Sequence, residues 1–175
     1  MKTLLDLDIA AVAAVDEQLG LGREGRLLAS VKPDLKHFKE LTYGQRVICG
    51  RRTLSTFPGG RPLPGRENVL LTHDPDFPPA AGLTVISGLS RLEDYLRQTA
   101  DGRRIFVIGG AEVYRQLLPW CSRAYLTCLR RTYAADCFFP DLESHPDWEL
   151  TEESPVYNWE GLDYTFRTYA RRQSP

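Results

Sequence analysis

The chain has 175 residues, of which 42% are apolar and 26% charged, a balance typical of globular proteins and not of disordered ones. This length predicts a single domain over residues 1–175. With 22 Lys and Arg against 23 Asp and Glu, the net charge of −1 argues against a general binder of nucleic acid or membrane surfaces.

Short apolar runs alternate with helical patterns along the chain, which predicts an α/β sandwich. The first run, 9–15 (IAAVAAV), is apolar on both faces and predicts a central strand. A signal peptide is the alternative for this run, but Asp6 and Asp8 interrupt its approach. The stretch 20–25 (GLGREG) is predicted to be a mobile loop, because its glycines disfavour regular structure.

A helix is predicted from Pro33, because proline is favoured in the first helical turn, and Gly44 is expected to close it. Its apolar stripe comprises Leu35, Phe38 and Leu41. Further strands are predicted at 47–49, 68–72, 83–87, 105–108 and 125–129, with helices from 51, over 89–98 and from about 111 to Leu118. The segments 148–152 and 164–170, separated by a turn at 158–161, predict a C-terminal antiparallel hairpin added to a mostly parallel sheet.

The cysteine and histidine content bears on metal binding and on location. The four cysteines form no CxxC pair, and with only three histidines we expect no metal site. Free thiols fit a reducing compartment, so we expect a cytoplasmic protein. No apolar run reaches the roughly 18 residues that a membrane span needs.

Two segments share the order strand, glycine, helix: 47–53 (VICGRRT) and 105–114 (IFVIGGAEVY). A glycine there lets the backbone approach a ligand, and the helix start presents N–H groups that suit phosphate. Two such sites in one sheet suit a dinucleotide, and Arg51 and Arg52 would add charge-assisted hydrogen bonds. The alternative is a pair of tight connections with solvated arginines, since neither segment is a GxGxxG or Walker A motif.

Asp34 shares a helix face with Phe38 and Leu41, at spacings of four and seven residues. A carboxylate on a core-facing stripe is costly without a partner, which indicates a pocket floor for a cationic or amidine-like heterocycle. The alternative is a first-turn acid favoured by the helix dipole. We expect desolvation by Leu35 and Phe38 to outweigh the dipole and to raise the pKa of Asp34.

Two arginines, Arg61 and Arg66, lie in the proline- and glycine-rich loop 60–66 (GRPLPGR). An arginine held in place by neighbouring prolines can bind a carboxylate through two parallel hydrogen bonds. The alternative is a solvated turn arginine.

Taken together and in this order, the segments resemble dihydrofolate reductase over nearly the whole chain. The motifs that carry the resemblance are 12–16 (VAAVD), 20–25, 33–39 (PDLKHFK), 47–53, 60–72 (GRPLPGRENVLLT), 108–114 (IGGAEVY), 125–127 (YLT) and 136–140 (DCFFP). The resemblance implies a three-layer α/β/α fold, with a mostly parallel sheet of about eight strands and about four helices. It also implies reduction of 7,8-dihydrofolate to tetrahydrofolate with NADPH, by hydride transfer from nicotinamide C4 to pterin C6, and it implies binding of antifolate-type inhibitors.

The resemblance assigns substrate-site roles residue by residue. Asp34 matches the carboxylate that binds N3 and the 2-amino group of the pterin and promotes protonation at N5, and Thr127 matches the threonine that hydrogen-bonds it. Arg66 matches the arginine that holds the α-carboxylate of the glutamate tail. The residues that match the walls of the substrate pocket are Val12, Ala13, Leu35, Phe38, Leu63 and Ile108.

The remaining matches concern NADPH. Ala14 and Leu21 match the lid over the nicotinamide, and Arg51 matches the arginine that faces the 2′-phosphate. The other implied cofactor contacts are Gly50, Arg52, Thr53, Leu71, Thr72, His73, Gly109, Gly110, Ala111, Glu112, Val113 and Tyr114.

The lid departs from the family pattern, because Ala29 stands where a tryptophan often orders a water near the pterin. This departure concerns the rate of the proton step and leaves the acid, the tail arginine and the phosphate sites in place. Two alternatives stay open: a pyrimidine reductase of riboflavin synthesis, with the same fold and NADPH use, and a non-catalytic nucleotide- or antifolate-binding module. Asp34 followed by Phe38, with Arg66 placed for a glutamate tail, favours folate. We expect a monomer.

Overall fold

A central sheet of nine strands organises the computed structural model, which describes residues 4–172. The strands are β1 Ile9–Val15, β2 Gly20–Arg23, β3 Arg26–Leu27, β4 Arg46–Cys49, β5 Glu67–Thr72, β6 Leu83–Ser87, β7 Ile105–Val107, β8 Arg123–Leu129, β9 Cys137–Phe138, β10 Trp148–Glu153, β11 Tyr157–Trp159 and β12 Leu162–Arg171. The helices are α1 Lys32–Thr42, α2 Arg51–Thr56, α3 Leu89–Gln98 and α4 Ala111–Leu117. Single 3₁₀ turns lie at Leu4–Asp6, Pro58–Gly60 and Leu118–Trp120.

The main sheet has the strand order β10-β12-β8-β1-β7-β4-β5-β6, and β11 pairs with β12. The strands from β8 to β6 in this order run parallel, whereas β12 pairs antiparallel with β8, β10 and β11. The predicted mostly parallel sheet with a C-terminal antiparallel hairpin is therefore confirmed, and β11 is an additional short strand within that hairpin. A second, small sheet joins β3, β2 and β9.

Alternation along the buried strands separates the core into two layers. In β1, Ile9, Ala11, Ala13 and Val15 face one side of the sheet, where they pack with Leu92 and Leu96 of α3 and with Val113 and Leu117 of α4. Ala10 and Val12 face the other side, where they pack with Phe38 and Leu41 of α1 and Leu54 of α2. Helices cover both faces of a sheet whose central strands β1, β4 and β7 are largely buried, so the predicted α/β/α arrangement is confirmed.

Helix α1 follows its predicted signals closely. Val31 caps its start, Pro33 lies in its first turn, and Tyr43 ends it by donating its backbone N–H to the carbonyl of Lys39. Gly44 then takes a φ of +80°, which glycine adopts without strain. The predicted apolar stripe is wrong at Leu35, which is 45% exposed and packs in neither core layer.

The boundaries of β1, β6 and α3 coincide with the predicted ones, and those of the other predicted elements differ by at most two residues. The helix α4 ends before Pro119, as predicted, but the chain continues as a 3₁₀ turn that contains this residue. Across residues 4–172 the structure contains no helix of the length and apolarity that crossing a membrane requires.

The prediction of an irregular loop at 20–25 is wrong, since β2 and β3 form a hairpin there and β2 also pairs with β9. The glycines serve close approach. A Cβ on Gly20 would lie 2.9 Å from both carboxylate oxygens of Asp16, and a Cβ on Gly22 would lie 2.5 Å from the carbonyl oxygen of Arg26. Glycine therefore permits the pairing of this strand instead of preventing it.

Asp16 ties the hairpin to the main sheet. Its buried carboxylate accepts backbone hydrogen bonds from Gln18 at 2.9 Å, Gly20 at 2.7 Å and Tyr133 at 2.9 Å. Asp136, which is exposed, accepts one from Glu24 at 2.8 Å. The carboxylates of Asp16 and Asp136 thus join the segment that follows β1 to the segment that follows β8.

Replacement Asp16→Ala should lower the free energy of unfolding by about 3 kcal/mol, because three N–H donors lose a charged acceptor in a buried place. Urea unfolding measures the loss, and Asp136→Ala is the matched control, with an expected loss below about 1 kcal/mol because water can replace the exposed acceptor. Equal losses for the two variants would contradict the role given to Asp16.

Candidate active site

Asp34 and Thr127 meet on the α1 side of the sheet. Asp34 lies in the first turn of α1, and its Oδ1 accepts a hydrogen bond of 2.6 Å from the hydroxyl of Thr127 in β8. Thr127 is buried and lies opposite Ala14 in the register of β1 and β8. The contact that the resemblance implies between these two side chains is present.

The electrostatic environment of Asp34 is dominated by burial. Desolvation raises the pKa of this carboxyl above its ordinary value, while the hydrogen bond from Thr127 and the nearby His37 lower it by smaller amounts. The predicted direction is confirmed. The predicted cause is partly wrong, because Leu35 is too exposed to exclude water from the carboxyl.

An apolar wall stands beside this acid. Val12 of β1 and Ile108 at the end of β7 belong to the core layer under α1 and α2, and Phe38 and Leu63 pack against that layer. Ala13 belongs to the opposite layer, so only its backbone can line this side of the sheet. The side chains that meet here therefore comprise most of the predicted substrate wall.

Asn68 holds Leu63 in place, a role that the sequence analysis missed. Its buried amide accepts from the backbone N–H of Leu63 at 2.9 Å, and donates to the carbonyls of Leu63 at 2.9 Å and Arg66 at 3.0 Å. These three bonds fix a turn that has no regular secondary structure. The available signal was a polar residue next to the apolar run 69–71, shortly after a proline-rich loop.

Arg66 is oriented by neutral partners. Its Nε donates to the carbonyl of Pro64 at 3.0 Å, its Nη1 donates to the hydroxyl of Thr42 at 3.2 Å, and its guanidinium lies 5.9 Å from the ring centre of Tyr43. Within residues 4–172 none of the ion pairs includes Arg66. This half-buried cation is pre-oriented and available to an external carboxylate.

The two strand–glycine–helix turns lie side by side because β4 and β7 are neighbours. Gly50 precedes α2 and Gly110 precedes α4, and the N–H of Gly50 donates to the carbonyl of Gly109 at 2.8 Å. Gly109 has a φ of +122°, and a Cβ there would lie 3.1 Å from the hydroxyl oxygen of Thr53. Only glycine fits this turn, where the unpaired N–H groups of two helix starts lie close together.

Some polar side chains near these turns are free to bind a ligand, and others already form hydrogen bonds within the protein. Arg51, Arg52 and His73 are exposed, and neither arginine belongs to an ion pair within the described part of the chain. Thr72 accepts from the N–H of Asp74 at 3.1 Å. Exposed cations beside glycine-lined helix starts are a donor set that fits a phosphorylated dinucleotide.

Several predicted cofactor residues have side chains that are engaged with other parts of the protein. The carboxylate of Glu112 accepts hydrogen bonds from Arg115 and Gln116 within α4. Val113 and Leu71 are buried in the layer under α3 and α4, and Tyr114 donates its hydroxyl to the carbonyl of Val12 at 2.6 Å. The side chains of these residues therefore contact the protein itself. A ligand could still contact the backbone N–H groups of Ala111 and Glu112 at the start of α4.

The three lid positions lie in different packing environments. Ala14 is half-buried beside Thr127, and Leu21 of β2 packs against the layer under α3 and α4. Ala29 is half-buried and packs against the small cluster that contains Val31. By fold and site, then, the chain is an α/β enzyme that combines a nucleotide-binding edge with a desolvated carboxyl.

Comparisons with known proteins narrow this class to a family. The family model described as dihydrofolate reductase matches residues 8–171. The dihydrofolate reductase of Bacillus subtilis is 33% identical over 168 residues, covering 95% of this chain and 96% of that protein. That of Neisseria gonorrhoeae is 31% identical over 163 residues, covering 93% and 98%.

A solved structure agrees with the sequence relatives. Dihydrofolate reductase from Enterococcus faecalis, complexed with NADP(H) and RAB-propyl, has a TM-score of 0.82 and 34% identity, covering 95% of this chain and 97% of that one. The chain belongs to the dihydrofolate reductase family.

Proposed function

We propose that Asp34 and Thr127 form the acid centre of NADPH-dependent reduction of 7,8-dihydrofolate to tetrahydrofolate, the activity that family membership gives this oxidoreductase. The observation that carries the proposal is the 2.6 Å hydrogen bond that holds a desolvated carboxyl against the sheet. It lies on the sheet face that also carries Val12 and Ile108. Family membership decides against the pyrimidine reductase and the non-catalytic module.

Asp34 binds the N3 and 2-amino side of the pterin and favours the protonated ring at N5. N5 is a weak base at neutral pH, and a fixed negative charge in a place of low dielectric stabilises positive charge nearby. Thr127 donates to one oxygen of the carboxylate and leaves the other oxygen for the pterin. The side chains of Val12, Phe38, Leu63 and Ile108 exclude water from the ring.

NADPH, when bound, supplies the hydride for C6 of the pterin. On the protein side, the helix starts after Gly50 and Gly110 would hold the pyrophosphate. Arg51, Thr72 and His73 would bind the 2′-phosphate. Arg52 and Thr53 add further phosphate contacts. The glycine-lined turns and the exposed arginines support this assignment.

Arg66 holds the α-carboxylate of the glutamate tail. Its neutral partners, Pro64 and Thr42, fix its direction without neutralising its charge. We infer that one domain and one copy of the chain carry the whole reaction, since strands of a single sheet position acid, wall and helix starts. The four free cysteines support action in the reducing cytoplasm.

Replacement Asp34→Asn should slow hydride transfer at pH 7 by about 10²-fold, the usual scale for loss of acid–base assistance. The rate should recover partly as pH falls, because solvent can then protonate N5 directly. Single-turnover loss of NADPH absorbance against pH measures both effects, and Glu40→Gln, an exposed charge change on the same helix, is the control. Equal rates for the wild type and Asp34→Asn at pH 7 would remove Asp34 from the mechanism.

The same variant should be at least as stable as the wild type at neutral pH. Because burial raises the pKa of Asp34 in the folded state, the stability linked to this group is full at low pH and is lost as pH rises through that pKa. Asparagine removes this loss, so the advantage of the variant in urea unfolding should shrink on acidification. A cooperative urea unfolding transition of Asp34→Asn would also show that its slow hydride transfer does not come from loss of the fold.

Replacement Arg66→Leu should raise the KM for dihydrofolate at least tenfold, because removal of one partner from a partly buried ion pair costs about 2–5 kcal/mol. A pterin without the glutamate tail should be affected much less. Steady-state kinetics with both substrates measures the difference, and Arg61→Leu in the same loop is the control. A similar loss for both substrates would make Arg66 a purely structural residue.

Replacement Arg51→Ala should weaken NADPH binding roughly tenfold to a hundredfold, the range that a charge-assisted bond of about 1.5–3 kcal/mol gives. NADH lacks the 2′-phosphate, so its affinity should hardly change. Fluorescence titration with both cofactors separates the cases, with Arg91→Ala on the far side of the sheet as the control. Parallel losses for NADPH and NADH would show that Arg51 does not recognise the 2′-phosphate.

A further inference from the structure

The hydroxyl of Thr42, the last residue of α1, has two partners within the protein. Its oxygen lies 2.9 Å from the carbonyl oxygen of Phe38 and 3.2 Å from Nη1 of Arg66. A carbonyl oxygen can only accept and a guanidinium can only donate, so the hydroxyl donates to Phe38 and accepts from Arg66. Because Thr42 is fully buried, water does not compete for either bond. The proton of the hydroxyl is therefore fixed on Phe38, and its lone pair faces the guanidinium.

The backbone around Arg66 is held by other groups. The amide of Asn68 donates to the carbonyl of Arg66 at 3.0 Å. The backbone N–H of Gly44, just beyond α1, donates to the carbonyl of Gly65 at 2.8 Å. The loop is thus held against the end of α1 without the hydroxyl of Thr42, and the particular contribution of this hydroxyl is to hold the guanidinium itself.

The same arrangement of threonine and arginine occurs at the end of α3. The hydroxyl of Thr99 donates to the carbonyl of Tyr95, four residues earlier, at 2.7 Å and accepts from Nη2 of Arg46 at 2.7 Å. Arg46 also forms an ion pair with Glu67, whose Oε2 lies 2.5 Å from its Nε. Arg66, in contrast, belongs to no ion pair within residues 4–172. A carboxylate of the protein neutralises the first oriented guanidinium, and the second is oriented for a carboxylate from outside.

We propose that Thr42 is a positioning residue for recognition of the substrate tail, because its hydroxyl fixes the direction in which the guanidinium of Arg66 meets the α-carboxylate. The inference rests on the role proposed for Arg66 and deepens it. Nε of Arg66 is engaged by the carbonyl of Pro64 and Nη1 by Thr42, whereas no bond of Nη2 occurs within the described part of the chain. Without the hydroxyl, the guanidinium keeps its charge but has to be immobilised when the tail binds, which weakens binding.

Replacement Thr42→Val removes the hydroxyl and keeps the size of the side chain. It should raise the KM for dihydrofolate about three- to tenfold, less than Arg66→Leu does, because the guanidinium loses its orientation and not its charge. The KM for a pterin without the glutamate tail, and kcat for both substrates, should change by less than about twofold. Thr42→Ala should give the same difference between the substrates. Thr42→Ser, which keeps the hydroxyl, should behave like the wild type.

A double-mutant cycle separates this role from a purely structural one. In the Arg66→Leu background, Thr42→Val should leave the KM for dihydrofolate unchanged, because the group that the hydroxyl orients is absent. Thr99→Val is the matched control: it removes the corresponding hydroxyl at the end of α3 and should leave the KM for dihydrofolate unchanged. A cooperative urea transition shows for each variant that it is folded.

Three results would each overturn the inference. The first is an unchanged KM for dihydrofolate in both Thr42→Val and Thr42→Ala, or an equal rise for the substrates with and without the tail. The second is the same rise from Thr42→Val in the Arg66→Leu background as in the wild type. The third is a Thr42→Ser variant that behaves like Thr42→Val, since the hydroxyl would then not be the group that matters. If Arg66→Leu itself affects both substrates equally, the proposed function of Arg66 fails instead.

Discussion

Strand β1 lies between two parallel neighbours and under helices on both faces, and the rest of the molecule is arranged around that constraint. Because side chains alternate along a strand, its odd-numbered residues are committed to the layer under α3 and α4, and Ala10 and Val12 to the other layer. The pairing with β8 then brings Ala14 opposite Thr127. The acid centre therefore depends on a register set by the core.

The site contains buried polar groups, and the free-energy cost of burying them is offset by the stability of the surrounding fold. Asp34 is desolvated, and one hydrogen bond from Thr127 compensates only part of that cost. Asn68 and Asp16 work differently, since each is a buried polar group whose side-chain bonds are all to backbone atoms. These hydrogen bonds hold segments without regular secondary structure in one conformation. The side chains that such segments contribute to the site are thereby kept in place.

The parts of the fold that could be predicted from the sequence are those decided locally. Helix α3 and strand β6 were predicted to the residue because periodicity and flanking glycines determine them. The hairpin at Gly20 was mispredicted, since its glycines are required by contacts with Asp16 and Ala135, which no local pattern reveals. The roles of Asp16 and Asn68 could not be predicted either, because their hydrogen-bond partners are set by the tertiary structure and not by the local sequence.

The candidate site follows the same division. Asp34 was identified by its place on an apolar helix face, and its hydrogen bond to Thr127 by resemblance to a family. The exposure of Leu35, the placement of Ala13 in the opposite layer and the engagement of Glu112 within α4 depend on tertiary packing. A match to a family motif assigns a position along the chain, and the contacts of its side chain follow only from the fold.

Helix α1 also fixes a length. Asp34 lies in its first turn and Thr42, which holds Arg66, is its last residue. At 1.5 Å per residue, these eight steps separate the two anchor points by about 12 Å along a rigid rod. The helix thus acts as a ruler for its ligand: a molecule with a heterocycle at one end and a carboxylate at the other can engage both anchors only if its bridge spans that distance.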